Sequence, residues 1–281
     1  MRAAALALFF VTAFTTPPSA PAASQRPLIV TSADHSLKEG DDCEHFHTQN
    51  TTSFPKQARQ EEQRDVALSG IDLVKVRASE EGGVSVRGWD KPTARLTVCK
   101  YAMALTEVAA QRALGAVTVS VHNGEIVSAG PEISENQVWW VHMILRVPKA
   151  SNVDVASANG GIAIRNMTGR VTAQSTNGGI SVAQCGGDSR VTTANGGISI
   201  EKISGRLEAN TQTGPISLKL RDSIIPALEA RTDEQGEILC KKCSSATWAA
   251  NRKFLRLGGG AQPPSIRLFT NSAMIMIEQV R

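Results

Sequence analysis

The sequence predicts an all-β protein: a parallel β-solenoid with about 18 residues per turn and one helix that flanks or caps it. Three observations lead to this prediction. An Asn-Gly-Gly-Ile tetrapeptide recurs at intervals of 18 residues, and apolar and polar residues alternate between its copies. Aromatic residues make up only 4% of the chain while glycine numbers 23. This composition suits a narrow aliphatic core with many tight turns.

The repeat is clearest in residues 151–220, where three Asn-Gly-Gly-Ile copies are followed, at the same spacing, by Thr-Gly-Pro-Ile. Each tetrapeptide is interpreted as a corner between two short strands. The asparagine amides are expected to satisfy backbone groups at the corner and to stack as a ladder. The predicted corner residues are Asn159, Gly160, Asn177, Gly178, Asn195, Gly196 and Gly214.

Three further tetrapeptides extend the pattern beyond this region. One begins at Asn123, two periods before the first clear copy. Another begins at Gln235 after an insertion of four residues, and a third begins at Asn271, two periods later. The same 18-residue count therefore predicts corners at these places too.

Glycine occupies the second corner position in all these copies except the last, which has Ser272. The third position is more variable and includes Pro215. We therefore predict a positive φ at the second position, which glycine adopts cheaply. The third position should have a negative φ, because the proline ring fixes φ near about −65°.

Alternation around each corner predicts the core, because successive side chains of a strand point to opposite faces. Inward positions before the corner are Val153, Val155 and Ser157, and those after it are Ile162 and Ile164, each with counterparts at the 18-residue spacing. A third inward column contains Met167, Cys185 and Ile203. An outward column contains Ala163, Ser181, Ser199 and Ser217.

The amino-terminal part of the chain divides into two segments. Residues 1–22 have the charge, the short apolar run and the Ala-Pro-Ala end of a secretory signal peptide. Residues 23–64 are polar with little periodicity, so a partly disordered extension is expected. Residues 65–281 form the predicted β-solenoid domain. Within it, 102–113 has helical spacing, and Gly115 is expected to end that helix.

Residues 66–281 resemble the bacterial putative adhesin family of repetitive β-solenoid domains, a family of unknown function. The resemblance lies in the Asn-Gly-Gly-Ile series, its Gly-Arg-Val links, the segment from Gly83 to Asp90, the strand leading to Pro148, and three glycines from Gly258 to Gly260 before the last strands. It implies a β-solenoid fold and a location in the cell envelope. The Cys-rich features and the polar extension depart from the family pattern.

The cysteines and one His-containing segment suggest alternative chemistry. With Cys185 in the core, Cys43, Cys99, Cys240 and Cys243 allow three disulfide pairings. Cys240 and Cys243 form either a structural disulfide or a redox pair, although a redox motif of this kind usually starts a helix in a βαβ unit. In an extension, Cys43, His45 and His47 could supply soft and imidazole ligands to Zn or Cu, with an incidental cluster as the alternative.

Charge and motif content narrow the function classes. The net charge is +4, with Lys and Arg scattered along the chain, so no basic stripe with aromatic platforms indicates nucleic-acid binding. No segment after the leader is apolar enough for a transmembrane helix. Lyases and hydrolases built on β-helices need converging carboxylates, which the outward columns do not repeat.

Two function classes follow. The first is a non-catalytic exported module of the periplasm or cell surface, adhesin-like, without cofactor, binding a glycan, an envelope protein or its own copies. The alternative is an envelope enzyme that acts on polysaccharide.

Overall fold

The structure is a computed structural model, and it describes residues 43, 54–79, 81–221, 227–233, 235–243, 245–258 and 265–280. Within this part of the chain, strands dominate, they form two large sheets, and the helix α1 spans Glu107–Ala116. The all-β prediction is therefore confirmed. The leader 1–22 and most of the segment 23–64 lie outside the described residues.

Sheet A contains ten strands within the described residues. Its middle strands are parallel, and β1, β4 and β7 form an antiparallel end. In spatial order it consists of β1 (Lys56–Val66), β4 (Ala94–Ala104), β7 (Gln137–Pro148), β3 (Gly83–Trp89), β9 (Ile162–Arg165), β11 (Ile180–Ala183), β13 (Ile198–Glu201), β15 (Ile216–Arg221), β21 (Met274–Val280) and β17 (Glu237–Lys241).

Sheet B contains eleven strands within the same described ranges. It is parallel from β6 to β16 and antiparallel at its two ends. In spatial order it consists of β18 (Ala246–Trp248), β19 (Phe254–Leu257), β16 (Leu228–Thr232), β20 (Ile266–Thr270), β14 (Leu207–Thr211), β12 (Ser189–Thr193), β10 (Val171–Ser175), β8 (Asn152–Ser157), β2 (Leu73–Arg77), β6 (Glu125–Ala129) and β5 (Thr118–His122).

Central strands pair with the residues 18 positions away. Val171 lies opposite Ser189 in sheet B, and Ile180 lies opposite Ile198 in sheet A. The inward side chains of the two sheets are buried, including Ser157 and Met167, and they form a common aliphatic core. The predicted inward columns are therefore confirmed, although Ile203 is only partly buried.

The chain does not stack in sequence order at either end, contrary to the simple 18-residue count. At the carboxyl end, Ile275 lies between Ile216 and Ile238, so β21 is inserted between β15 and β17. At the amino end, the turn formed by β2 and β3 stacks against β8 and β9. The two-period gap between Asn123 and Asn159 is thus occupied by β2 in sheet B, whereas β17 and β21 are direct neighbours in sheet A despite the two periods between them.

The tetrapeptide at Asn123 is not a solenoid corner. Asn123 and Gly124 join the antiparallel strands β5 and β6 as a two-residue hairpin, with φ of 47° and 77°. Two successive positive φ values define a type I′ turn, whose twist matches that of the flanking strands. The prediction from spacing was wrong here because Asn-Gly is also the commonest sequence of such hairpins.

The helix begins later than predicted. Residues Ala102–Ala104 still pair with both neighbours of β4, so their backbone groups are satisfied as strand. The Thr106 hydroxyl accepts a hydrogen bond from the backbone N–H of Ala109, which caps the first turn of α1. Gly115 lies inside the last turn and does not end it. With ten residues, α1 is not a candidate membrane span.

The last nine residues of the predicted polar, partly disordered extension 23–64 form part of a strand. Residues 56–64 belong to β1, which pairs along its whole length with β4. Its many charged residues give no alternating pattern because β1 is an edge strand, and charge on an edge strand discourages pairing with other chains.

A second apolar cluster covers the other face of β4 and β7. Trp139 and Trp140 point to opposite faces, as successive residues of a strand do, with Trp139 in the main core. Trp140 stacks on Tyr101 with ring centroids 5.3 Å apart. Burial raises the pKa of Tyr101 to about 12.

Candidate functional site

The second corner position requires glycine because turns approach closely there, and not because φ is positive. A Cβ on Gly160, Gly178, Gly196 or Gly214 would lie 1.9 to 2.1 Å from a backbone oxygen of the neighbouring turn. Among the described glycines, positive φ occurs elsewhere, at Gly70, Gly124 and Gly258. The third position has more room: a Cβ on Gly179 would first meet an atom 3.4 Å away.

The asparagines of the corners form a ladder along the stack. The Asn177 amide donates to Oδ1 of Asn159 at 2.6 Å, and Asn195 donates to Oδ1 of Asn177 at 2.7 Å. The ladder is closed by Glu81, which accepts from Asn159, and by Thr213, which donates to Asn195. The amide donors and acceptors of these side chains are therefore used in hydrogen bonds within the ladder. This column has a structural role.

Buried hydroxyl groups stabilise the same corners from the core side by hydrogen bonds. Oγ1 of Thr193 donates to the carbonyl of Gly178 at 3.0 Å, and Thr211 donates in the same way to Gly196. Oγ of Ser175 also accepts from the backbone N–H of Gly178 at 2.9 Å. Backbone groups that the corner leaves unpaired are therefore satisfied by Ser or Thr, which explains small polar residues at inward positions.

The outer face of sheet B carries a column of charged side chains that sequence reasoning missed. The residues are in register on neighbouring strands and, apart from Thr172, alternate in sign. In spatial order they are Glu125, Lys75, Asp154, Thr172, Arg190, Glu208, Arg267, Glu229 and Arg256. We call this set the charge column.

Several members of the charge column form ion pairs. Arg190 lies 2.9 Å from Glu208, and Arg256 lies 3.9 Å from Glu229. Asp154 is held by Arg77 of β2 at 2.8 Å. Along the described column, no two carboxylates occupy neighbouring strands.

Two adjoining depressions open on this face, with volumes of about 630 and 620 Å³, and they share Glu208 and Arg267. The first, which we call the arginine groove, is lined by Arg170, Arg190, Arg206 and Arg267 with Asp188 and Glu208. The second, which we call the phenylalanine pocket, contains Phe254, Phe269, Arg231, Asn210 and Asn251.

The phenylalanine pocket combines apolar rings with hydrogen-bonding groups. Arg231 on β16 lies in register between Phe269 and Phe254 on its two neighbouring strands. Both phenylalanine side chains are half-buried and line this pocket. Flat apolar rings beside amide and guanidinium groups suit a ligand with both C–H and hydroxyl surfaces.

The predicted corner residues do not take part in this surface. They lie where the sheet B strands end, whereas Arg170, Asp188 and Arg206 lie where these strands begin. The signal present in the sequence is the Gly-Arg pair at 169–170 and again at 205–206, two periods apart.

The cysteines lie away from this face. Sulfur atoms of Cys43 and Cys99 are bonded at 2.03 Å, and those of Cys240 and Cys243 are also joined. Cys43 therefore has no free thiolate for a metal, while His45 and His47 lie outside the described residues. No group of His, Cys, Asp and Glu suited to a metal occurs among the residues that the structure describes. The Cys185 thiol is buried in the core, which raises its pKa.

One Ser-His contact on sheet A invites comparison with a nucleophile and its base. Oγ of Ser85 lies 3.0 Å from Nε2 of His142. Strand β3 is paired on both sides, with β7 and β9, so the backbone N–H groups around Ser85 are used within the sheet. They are not free to stabilise an oxyanion, which a serine hydrolase requires.

Comparison with known proteins finds no matching family model and no matching curated protein. A putative cell adhesion protein from Clostridium sporogenes is similar at 11% identity and a TM-score of 0.39, covering 79% of this chain and 100% of that one. A putative adhesin from Bacteroides fragilis is similar at 12% identity and a TM-score of 0.41, covering 80% and 99%. A third, from Parabacteroides merdae, has 6% identity and a TM-score of 0.35 over 79% and 96%.

The names of these three proteins agree with the family resemblance seen in the sequence. Because their TM-scores are low, the function proposed below is argued from the side chains of this chain alone.

Proposed function

We propose that the protein is a non-catalytic, adhesin-like module of the cell envelope that binds an extended ligand along the outer face of sheet B. The proposal includes export by the leader 1–22 and a location in the periplasm or on the cell surface. It also treats the stack of 18-residue turns as a parallel β-solenoid that serves as a rigid scaffold.

The observation that carries the proposal is the continuity of the arginine groove with the phenylalanine pocket. Both lie on strands of one sheet and share Glu208 and Arg267. A rigid sheet holds such a surface without paying to order it on binding. A polymer with repeated polar groups can contact several strands at once, so a glycan is the best-suited ligand class.

The enzyme alternative has less support. In the charge column, Glu208 lies between Arg190 and Arg267, and Glu229 lies between Arg267 and Arg256. No two carboxylates of the described charge column occupy neighbouring strands, and Arg267 separates Glu208 from Glu229.

The test uses the mature chain from residue 23 with a panel of envelope and extracellular glycans. We expect binding without new reducing ends or unsaturated products. Phe269→Ala should weaken binding by about 2- to 10-fold, as loss of about 0.5–1.5 kcal/mol of ring contact implies. Met276→Ala is the matched control, because Met276 is an outward apolar residue of sheet A.

Three results would contradict the proposal. Turnover of any glycan would establish an enzyme. Failure of every glycan to bind would remove the proposed ligand class, and an equal effect of both substitutions would place the contact elsewhere.

A further inference from the structure

Glycine stacking brings charged side chains to one corner of sheet B. A Cβ on Gly187 would lie 2.1 Å from the carbonyl oxygen of Gly169, and one on Gly205 would lie 2.3 Å from that of Gly187. Turns that stack this closely place the following residues directly above one another. These residues are Arg170, Asp188 and Arg206.

The charge column adds a second series two residues further along the chain and displaced by one strand, on β12, β14 and β20. Arg190 and Arg267 lie on either side of Glu208. In both series a carboxylate occupies the strand between two arginines. Because strands are about 4.8 Å apart, the arginines of each series recur at about 9.6 Å along the stack.

The arginine groove retains positive charge after its internal contacts are made. A carboxylate oxygen of Asp188 accepts from the backbone N–H of Arg206, and Glu208 pairs with Arg190. Within the described residues, the side chains of Arg170, Arg206 and Arg267 have no acidic partner and are exposed. Three guanidinium groups therefore face the groove ready for an anion.

We propose that the arginine groove binds a linear acidic polysaccharide in which charged and neutral sugars alternate. The polymer would run across the strands along the series Arg170, Asp188 and Arg206, with one carboxylate or sulfate at each arginine, two strands apart, and a neutral sugar over Asp188. The proposal rests on the function proposed above and names its ligand. A spacing of two strands is close to the length of a disaccharide in an extended chain.

The intervening carboxylates favour this ligand over other polyanions. A nucleic acid strand has a phosphate at every nucleotide, at about 3.4 Å along a duplex strand, and would place some of them against Asp188 or Glu208. Like charges in direct opposition disfavour a complex. A polysaccharide with a charge on every sugar meets the same repulsion.

The experiment measures binding of hyaluronan oligosaccharides, whose carboxylates lie on alternate sugars, by titration calorimetry. Three probes are compared with it: the same oligosaccharides with reduced carboxyl groups, polygalacturonate, and a single-stranded oligonucleotide. We expect the strongest binding with intact hyaluronan, and binding that weakens as salt rises.

The variant Arg170→Gln/Arg206→Gln should bind hyaluronan about 5- to 30-fold more weakly, at roughly 0.5–1 kcal/mol for each exposed charge. Arg112→Gln/Arg221→Gln removes the same charge from exposed positions on α1 and at the end of β15 and should bind normally. Since none of these four side chains has an acidic partner within the described residues, both variants should keep the thermal stability of the parent.

Each contrary outcome has a distinct meaning. Equal binding of the carboxyl-reduced oligosaccharides would overturn the acidic ligand while leaving a glycan-binding module. Tighter binding of polygalacturonate or of the oligonucleotide would overturn the alternation. Equal losses in the two double variants would show that general charge, and not the groove, attracts the polymer. If neutral glycans of the panel fail as well, the proposed function fails too.

Discussion

The Cα of Gly178 lies directly against the carbonyl group of Gly160, so that a Cβ on Gly178 would be 2.0 Å from that oxygen. Real Cβ atoms do not approach an oxygen this closely, and the obstacle is backbone of the neighbouring turn. The turns are thus held together at a point where any side chain would separate them.

Gly178→Ala should therefore lower the free energy of unfolding by about 1–3 kcal/mol, and Gly178→Val by more, as overpacking does. Gly179→Ala is the matched control. It should change stability by less than about 0.5 kcal/mol, because its Cβ has room. Urea denaturation of the variants measures these differences in the free energy of unfolding. Equal losses of stability at Gly178 and Gly179 would show either that the corner tolerates a side chain at Gly178 or that its register is different.

Arg267 favours the observed order of the carboxyl-terminal strands of sheet B, in which β20 lies between β14 and β16. It lies between Glu208 and Glu229, which would oppose each other directly if β16 stacked on β14. Arg267→Glu creates three adjacent carboxylates and should destabilise the fold by about 0.5–2 kcal/mol, given up to about 1 kcal/mol for each cross-strand pair. Arg267→Gln should destabilise the fold less than Arg267→Glu does.

Thermal melts at low and high salt test this account of Arg267. In about 1 M salt the Debye length is about 3 Å, so most of the difference in melting temperature between Arg267→Glu and Arg267→Gln should disappear. A difference that persists in high salt would indicate a packing effect of Arg267 instead of charge.

Tyr101 should make stability depend on alkaline pH. Burial raises its pKa to about 12, above the ordinary value of 10.0, so the folded state keeps the proton longer than the unfolded state. The stabilisation is complete below about pH 10 and falls as pH rises from there towards 12, by at most about 2–3 kcal/mol.

The measurement for Tyr101 is direct, because it is the only tyrosine of the chain. Ultraviolet absorbance of tyrosinate should show a titration near pH 12 in the folded protein. Tyr101→Phe should flatten the corresponding fall in stability. A midpoint near 10 in protein that is still folded would show that the ring is not buried as described.

The cysteines give a prediction for protein produced in an oxidising compartment. Non-reduced mass spectra should show Cys43 bonded to Cys99 and Cys240 bonded to Cys243, with two hydrogens lost for each bridge. Cys185 is buried and should react with an alkylating reagent only after denaturation. Alkylation of Cys43 and Cys99 in unreduced native protein would contradict this pairing.

The Cys43–Cys99 bridge should matter for stability, since it joins residues 56 apart in sequence. Its removal by Cys43→Ser/Cys99→Ser should cost about 4 kcal/mol on the chain-entropy estimate for a loop of this length. The Cys240–Cys243 bridge closes a loop of three residues of separation and should contribute much less. Denaturant midpoints of the two double variants compare the bridges.

Ser85 should not react as a hydrolase nucleophile, despite its hydrogen bond with His142. The backbone donors around it are used by the sheet, so no oxyanion hole can form from them. A fluorophosphonate probe should leave Ser85 unlabelled, and Ser85→Ala should bind glycans as the parent does. Covalent labelling that disappears in Ser85→Ala would reopen the enzyme alternative.

Local alternation was enough to predict the core. Val171 and Ala173 point inward while Thr172 and Gln174 point outward, because the two-residue period of a strand holds whatever its neighbours are. The 18-residue spacing similarly predicted which residues are paired in the central strands. Trp139 and Trp140 followed the same rule even at the antiparallel end of sheet A.

Other features depend on which segments meet, and these were decided by the tertiary structure. The same Asn-Gly pair forms a hairpin at Asn123 and a stacked corner at Asn177, since the first joins antiparallel strands and the second joins different sheets. Likewise β1 is a strand only because β4 offers it a full set of backbone partners. Neither difference is visible in a short window of sequence.

The sequence by itself determined the all-β class, the inward columns and the register of the central turns, because these follow from short-range periodicity. Only the tertiary structure decided that Lys75 and Arg267 are each inserted between two carboxylates, and that the arginine groove is formed. The physical reason is that charges interact according to distance in space. The alternation of charge exists in the order of the strands across sheet B and not in their order along the chain.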